Sequence, residues 1–264
     1  HKDFAHVLGD FNNWELTNKE DCQMCRDDAA GCWWITLNNL NPTKEYAFQY
    51  YVGTKGGETI RLADAYCEKI LDPEHDDDIR AAYPDNKTYP KGGKGIVSVF
   101  KIQRDNYAWT VSDFKMQHPK QPVIYEMHLR DFTTGRTINS ALQKLDYLKD
   151  MGVDAIELMP VQEFDGNDSW GYNPCFFFAL DKAYGTPKMY KDFIDACHRK
   201  GMAVILDVVY NHATGNMPFA RLYWDSAKNK TARNNPYFNT DDPHPYSVFQ
   251  DFNHEVLGAQ VREA

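Results

Sequence analysis

The sequence predicts a multidomain chain: a β-sandwich over residues 1–115, a linker at 116–122, and a parallel α/β unit over residues 123–264. Three observations predict it. The first part alternates short β-branched and aromatic runs with turns rich in Gly, Asn and Asp. Lys115 to Pro122 carries two prolines and no periodicity, which marks a linker. After Gln121, helix, glycine and apolar strand follow one another twice, the pattern of parallel strands joined by right-handed crossovers.

In the N-terminal part, Phe4 to Leu8 alternates as a strand, and Gly9-Asp10-Phe11-Asn12-Asn13-Trp14 is a turn. Trp33 to Leu37 and Tyr46 to Val52 are further strands. Gly53 to Gly57 is a turn, Thr59 to Leu62 resumes a strand, and Ile96 to Ile102 adds another. Asp72-Pro73-Glu74-His75-Asp76-Asp77-Asp78 is an acidic loop. It lacks the glycine and the closing Glu of a calcium loop, so it reads as solvated.

In the second part, Val123 to Leu129 is a strand. Asn139 caps a helix whose apolar positions Leu142, Leu145, Leu148 and Met151 are spaced by three, and Gly152 ends it. Val153 to Val161 is a buried strand. Thr186 caps the next helix, Pro187 takes its first position, Met189, Phe193, Ile194 and Cys197 form its apolar face, and Gly201 ends it. Ala203 to Val209 is the third strand. Such units build an open doubly wound sheet or a (β/α)8 barrel, and periodicity alone does not choose. Three strands cannot close an eight-stranded barrel and would leave an apolar parallel edge unpaired. From Ala213 to Ala264 no clear strand is visible; Asn234-Asn235-Pro236-Tyr237-Phe238 and Pro243-His244-Pro245-Tyr246 are typical. A stretch of that length suits a functional excursion from a barrel.

Composition narrows the partners. A net charge of −9 without a basic stripe argues against nucleic acid. No apolar run approaches the ~18 residues of a membrane span. Aromatics reach 14%, which leaves rings for ligand stacking, although most rings pack internally. Six cysteines do not fix a compartment, and Cys22-x-x-Cys25 has no second pair at zinc spacing. Simple thiols or one local disulfide are expected. The chain opens mid-strand at His1.

In a barrel, chemistry sits at the C-terminal ends of strands. There the sequence places Gln162, Glu163 and Asp165, then Trp170-Gly171-Tyr172-Asn173-Pro174, and finally Asp207, Tyr210, Asn211 and His212. A sugar needs a carboxylate or amide fork for its hydroxyls and a ring for its C–H face; Asp207, His212 and Tyr172 are of those types. Asp207 could equally form a strand-end turn, and His212 could be a satisfied core histidine. Asn211-His212 also admits a metal, but no further ligands stand at recognisable spacing.

Four motifs in order make a resemblance specific. Val123 to Phe132, Ile156 to Val161, Ser169 to Pro174, and Asp207-Val208-Val209-Tyr210-Asn211-His212 resemble the first three barrel strands and an intervening loop of the α-amylase family, glycoside hydrolase family thirteen. The resemblance implies the first part, about three βα units, of a TIM (β/α)8 barrel. It implies that Asp207 and His212 bind hydroxyls of one sugar, that Tyr172, in the loop with Trp170, stacks on that sugar, and that Asn211 stands where calcium is often ligated. Gly9 to Trp14, Gly31 to Trp34 and Tyr46 to Val52 resemble carbohydrate-binding module family forty-eight, an immunoglobulin-like β-sandwich. A second glucan-stacking Trp is absent from Thr59 to Asp64.

The family's nucleophile and general acid come from later strands, so no catalytic residue is assigned within this chain, which looks truncated at both ends and not competent alone. The expected function is retaining hydrolysis of α-1,4 linkages in an α-glucan polysaccharide or oligosaccharide. Branching or debranching at α-1,6 linkages, or a non-catalytic starch-binding fragment, are the alternatives. The family's starch-degrading members favour a periplasmic or secreted location.

Overall fold

The computed structural model describes residues 2–16, 19–54, 57–241, 245 and 249–254. His1, the Lys55-Gly56 part of the expected turn, and all but Pro245 of the Pro243–Tyr246 run lie outside them. The N-terminal part comprises β1 (Phe4–Gly9), α1 (Lys19–Cys22), β2 (Cys25–Asp27), β3 (Cys32–Trp34), β4 (Tyr46–Gly53), β5 (Thr59–Leu62), β6 (Ile70–Leu71) and β7 (Val97–Phe100). Among the described residues they form one five-stranded antiparallel sheet and a separate β2–β3 hairpin, in place of two clearly facing sheets. β4 is the spine: β1 pairs along one edge, β7 and β5 along the other.

Burial explains the composition of β4. Tyr46, Ala47, Phe48 and Gln49 are all buried. The Gln49 amide meets the need for partners by donating to Lys94 O (2.7 Å) and Ile96 O (2.8 Å). Trp14 turns inward: its indole N–H donates to Asp10 Oδ1 at 3.1 Å, and a Cβ on Gly92 would lie 2.3 Å from its Cβ. All six cysteines are free thiols. In the hairpin, Cys25 stands opposite Trp34 and Cys32 opposite Asp27, so the two are not paired across the strands.

The second part contains β8 (Ile124–Met127), α2 (Leu129–Phe132), α3 (Ile138–Leu142), α4 (Leu145–Asp150), β9 (Ala155–Leu158), β10 (Gln162–Phe164), β11 (Pro174–Leu180), α5 (Pro187–Arg199), β12 (Ala203–Leu206), β13 (His212–Ala213), α6 (Pro218–Leu222), β14 (Trp224–Asp225), β15 (Lys230–Thr231) and β16 (Gln250–Asp251). β8, β9 and β12 form a parallel sheet in the order β12-β9-β8, aligning Met127, Leu158 and Leu206. Its core joins Ile156 and Leu158 to Leu145, Leu148, Phe193 and Cys197 of the helices. Ile124 on β8 and Leu206 on β12 are exposed, and among the described residues each outer strand pairs only with β9.

Several expectations are corrected. The single helix expected from Asn139 is two, and its cap is Thr137. Thr137 Oγ1 accepts from Ser140 N (3.2 Å) while Ser140 Oγ accepts from Thr137 N (3.1 Å), a reciprocal box that fixes the start earlier. Met151 faces solvent. The segment after Ala213 carries α6 and short strand pairs, not structureless chain: β13 pairs with β16, and β14 with β15. The acidic loop is not simply solvated, because Asp76 reaches the buried Lys182 ammonium at 3.4 Å and Asn167 Nδ2 donates to His75 O at 2.8 Å. α5 matches its reading: Thr186 caps Met189 N at 3.2 Å.

The two parts are packed together. Ala63, Cys67 and Ile70 share a core with Cys175, Phe176 and Ala179 of β11. The chain from Lys101 to Val123 has no helix or strand and docks on α5 ahead of the expected linker. Tyr107 OH donates to Asp192 (3.0 Å), Thr110 N to Asp195 (3.0 Å), and Phe114 stacks on His198 with ring centres 4.1 Å apart.

Candidate functional site

Asp207 is placed by the sheet. Its N–H donates to Leu158 O at 2.9 Å, extending the parallel ladder one residue past β12 and setting the carboxylate at the strands' C-terminal end. Tyr172 arrives from the loop between β10 and β11. That loop is fastened at several points: Asn173 Nδ2 donates to Asp165 O (3.0 Å), Gly171 N donates to Ser169 Oγ (3.0 Å), and Ser169 Oγ bonds to Asn173 Oδ1. His128, just beyond β8, contacts Ser169 O through Nε2 at 3.0 Å. Arg130 pairs with Asp168, and Arg130 together with His128 holds the Asp131 carboxyl down at about 2.

Gly171 is required where it stands. Its φ is +89°, and an added Cβ would lie 2.5 Å from Pro160 O. Only a glycine lets the loop pass that close to the end of β9 and deliver Trp170 and Tyr172 on either side.

The result is a connected site. Tyr172 OH donates to Asp207 Oδ2 at 2.7 Å. That hydrogen bond, then burial, then the negative charge of Asp207, Glu126 and Glu157 push the Tyr172 phenol up to about 12. Glu126 and Glu157 stand opposite each other in the β8–β9 register. Asp207 is half-buried; Tyr172 and, more fully, Trp170 face solvent.

His212 is the correction at this site. Its Nε2 lies 2.7 Å from Tyr172 O and its Nδ1 lies 2.8 Å from Asn211 Nδ2. Buried and with both nitrogens engaged, His212 has no free nitrogen for a sugar hydroxyl. It anchors the Tyr172 backbone instead.

The described residues around Asn211 do not by themselves complete a calcium shell. Asn211 points its amide nitrogen at His212, and its backbone O accepts from Phe252 N at 3.0 Å. Calcium takes about six to eight oxygens. Among the described residues no group of three or more His, Cys, Asp or Glu is placed to hold an ion.

A buried charge cluster beside the site went unread in the sequence. Lys182 Nζ meets Glu163 Oε1 at 2.5 Å and Asp76 Oδ1 at 3.4 Å, with Asp181 adjacent. Burial raises the Glu163 carboxyl, against the pull of Lys182. Burial, with Glu163 adding to it, raises Asp181 well above the usual carboxylate range. A spacing of nineteen residues between Glu163 and Lys182 has no helical or strand period that would disclose the pair. A separate hollow of about 580 Å³ is lined by Glu126, His128 and Asp131 and does not include Tyr172 or Asp207.

Parallel βα units that bring a ring and a carboxylate together at the strands' C-terminal ends define the class of α/β protein whose sites lie at that face. Residues 131–257 match the family described as alpha amylase, catalytic domain, which places that part of the chain in the α-amylase family. The chain is 41% identical over 131 residues to malto-oligosyltrehalose trehalohydrolase of Arthrobacter ramosus, covering 50% of this chain and 22% of that protein. It is 32% identical over 223 residues to the 1,4-alpha-glucan branching enzyme GlgB of Halothermothrix orenii, covering 79% of this chain and 31% of that one. The chain thus spans less than a third of either relative. The fold is like that of the catalytic module of the glycogen-degrading pneumococcal virulence factor SpuA, with a TM-score of 0.65 at 23% identity over 99% of this chain and 41% of that one. No described helix is long and apolar enough to cross a membrane.

Proposed function

We propose that this chain forms the substrate-binding end of an α-glucan-acting glycoside hydrolase that cleaves α-1,4 linkages with retention. The observation that carries the reading is the Tyr172–Asp207 hydrogen bond, which joins a ring and a carboxylate at the C-terminal end of the parallel strands. The Tyr172 ring takes the C–H face of a glucose unit, and Asp207, with one oxygen engaged by Tyr172, accepts from sugar hydroxyls through the other. His212 holds the loop, and Trp170 extends the aromatic surface. The three strands are read as part of a (β/α)8 barrel. The N-terminal sheet is read as an immunoglobulin-like accessory module, with Trp14 bracing it from within.

Retention requires two carboxyl groups about 5–5.5 Å apart. Glu163 is not one of them, because Lys182 and burial engage it. Nor is any other carboxylate of this chain assigned the role. A second reading, hydrolysis of a malto-oligosyltrehalose, is favoured by the 41% identity to a trehalohydrolase. The test compares this chain with a longer form extending past residue 264, on soluble starch, pullulan and a malto-oligosyltrehalose. Reducing sugar from starch by the longer form supports the first reading, and trehalose release supports the second. Iodine-stain shifts without either would indicate branching. Activity of the short chain would overturn the assignment of the carboxylates elsewhere.

A further inference from the structure

Away from Tyr172 and Asp207, a cleft of about 680 Å³ separates the N-terminal sheet from α6. It lies within the ~300–1,000 Å³ of small-ligand sites. One wall is Trp33 of β3, Tyr50 of β4 and Tyr66 just after β5; the other is Phe219 of α6 with Tyr223 and Tyr237. None of Trp170, Tyr172, Asp207 or His212 lines it.

We propose that this cleft is a second binding site for an α-glucan chain. The proposal rests on the reading of the protein as α-glucan-acting, and goes beyond it by placing a second site between the two parts.

The rings are held by other rings. Phe219 stacks on Tyr237 with centres 4.3 Å apart and planes at 14°, and Tyr66 meets Phe219 edge-on at 5.7 Å and Phe178 at 5.4 Å. Tyr66 nevertheless remains 64% exposed. A ring braced on its neighbours and open to solvent is a low-entropy platform for the C–H face of a sugar.

The polar groups suit a neutral polyhydroxyl ligand. Asp64 Oδ2 accepts from Tyr50 OH at 3.0 Å and its Oδ1 from Tyr66 N at 2.8 Å, so one carboxylate orients two of the rings and retains lone pairs for hydroxyls. Arg26 and Lys2 supply donors at the rim, with Asp28 balancing Arg26 through a 2.5 Å ion pair. Charges of both signs line the cleft, whereas the core of a protein interface is depleted of charge. The same mixture disfavours nucleic acid, which needs an uncompensated basic surface.

The walls cannot drift apart freely. Ala65, between Asp64 and Tyr66, shares a core with Ala213, Met217 and Ala220. Ala213 follows His212 directly, so the cleft and the Tyr172–Asp207 site are built on the same packed segment. A chain engaged in the cleft is thereby held against the body that carries the first site.

The test is electrophoretic retardation of the 264-residue chain in amylopectin gels, with Tyr66→Ala, Asp207→Ala and the double variant. Each variant is first checked for cooperative urea unfolding. The expected result is retardation of the unsubstituted chain, roughly three- to tenfold weaker affinity for Tyr66→Ala, partial retention by Asp207→Ala, and loss in the double variant. Trp33→Phe, a milder exchange, should remove the change in tryptophan fluorescence that maltoheptaose induces in an Asp207→Ala background. If Asp207→Ala abolishes retardation while Tyr66→Ala leaves it intact, the cleft proposal falls and the α-glucan reading stands. If the unsubstituted chain is not retarded at all, both fall.

Discussion

Tyr172 and Asp207, thirty-five residues apart in sequence, are joined by a 2.7 Å hydrogen bond from the phenol to the carboxylate. The bond ties a loop to the end of a strand and fixes both groups before any ligand arrives. Tyr172→Phe should keep the ring and lose the tether. Because the pair is partly exposed, the cost is about 1 kcal/mol, or roughly fivefold in glucan affinity. Tyr172→Ala should cost more, since the stacking face goes too. Affinity electrophoresis ranks the two; equal losses would show that the ring makes no contact with the sugar. Asp207→Asn should also bring the Tyr172 ionisation from about 12 back toward ~10, which ultraviolet difference titration reads directly.

The parts of the chain that were legible in sequence are those set by local chemistry. α5 was readable because Thr186 and Pro187 mark its start, Gly201 its end, and a single apolar face runs between them. β9 and β12 were readable as apolar runs after glycines, though the paired strands stop at Leu158 and Leu206, short of the ends of the runs. The break between α3 and α4 was hidden, since Leu142 and Leu145 keep a spacing of three straight through it. β11 was missed because Pro174 to Leu180 is apolar on both faces and carries no alternation. At the site, the motifs brought Tyr172, Asp207 and His212 forward through family resemblance. The saturation of His212 by Asn211 and a backbone carbonyl depends on a tertiary approach that no spacing encodes.

The passage of Gly171 beneath Pro160 gives a sharp test of how the loop is held. Gly171→Ala must place a Cβ where 2.5 Å separates it from Pro160 O, in a backbone region with φ of +89°. The positive φ alone costs on the order of 1–2 kcal/mol, and the contact forces the loop outward as well. The expected outcome is a chain that still folds, with lowered urea midpoint and with glucan binding reduced at least as much as in Tyr172→Phe. Unchanged binding would mean that the loop's position near β9 does not matter to the ligand.

Lys182 neutralises two carboxylates from different regions, Glu163 of β10 and Asp76 of the acidic loop. Removing it leaves buried negative charge without a partner. Lys182→Met should therefore destabilise by about 3–5 kcal/mol, seen as a lower urea midpoint. Adding Glu163→Gln should recover part of that loss, because one of the stranded charges is gone. If the double variant is as unstable as the single one, the loss comes from packing of the lysine stem and not from the ion pair.

Asp181 sets a pH dependence whose sign follows from its surroundings. Burial, then the nearby Glu163, raise its folded-state carboxyl well above the usual range, although Oδ1 accepts from Ala183 N at 2.8 Å. The unfolded chain releases this proton near pH ~3.9. The folded chain keeps it to higher pH, so between those points the folded state binds more protons. The associated stability is fully present below pH ~3.9 and is lost as pH rises toward the folded value, with a slope of up to about 1.4 kcal/mol per pH unit. Glu163, also raised, adds a slope of the same sign. Asp181→Asn carries no charge at any pH and should flatten the fall without reversing it. Urea unfolding from pH 4 to 8 compares the slopes of the two chains, which is the right quantity because the new amide shifts stability by a constant amount. Parallel curves would mean that Asp181 ionises in the folded chain as it does in the unfolded one.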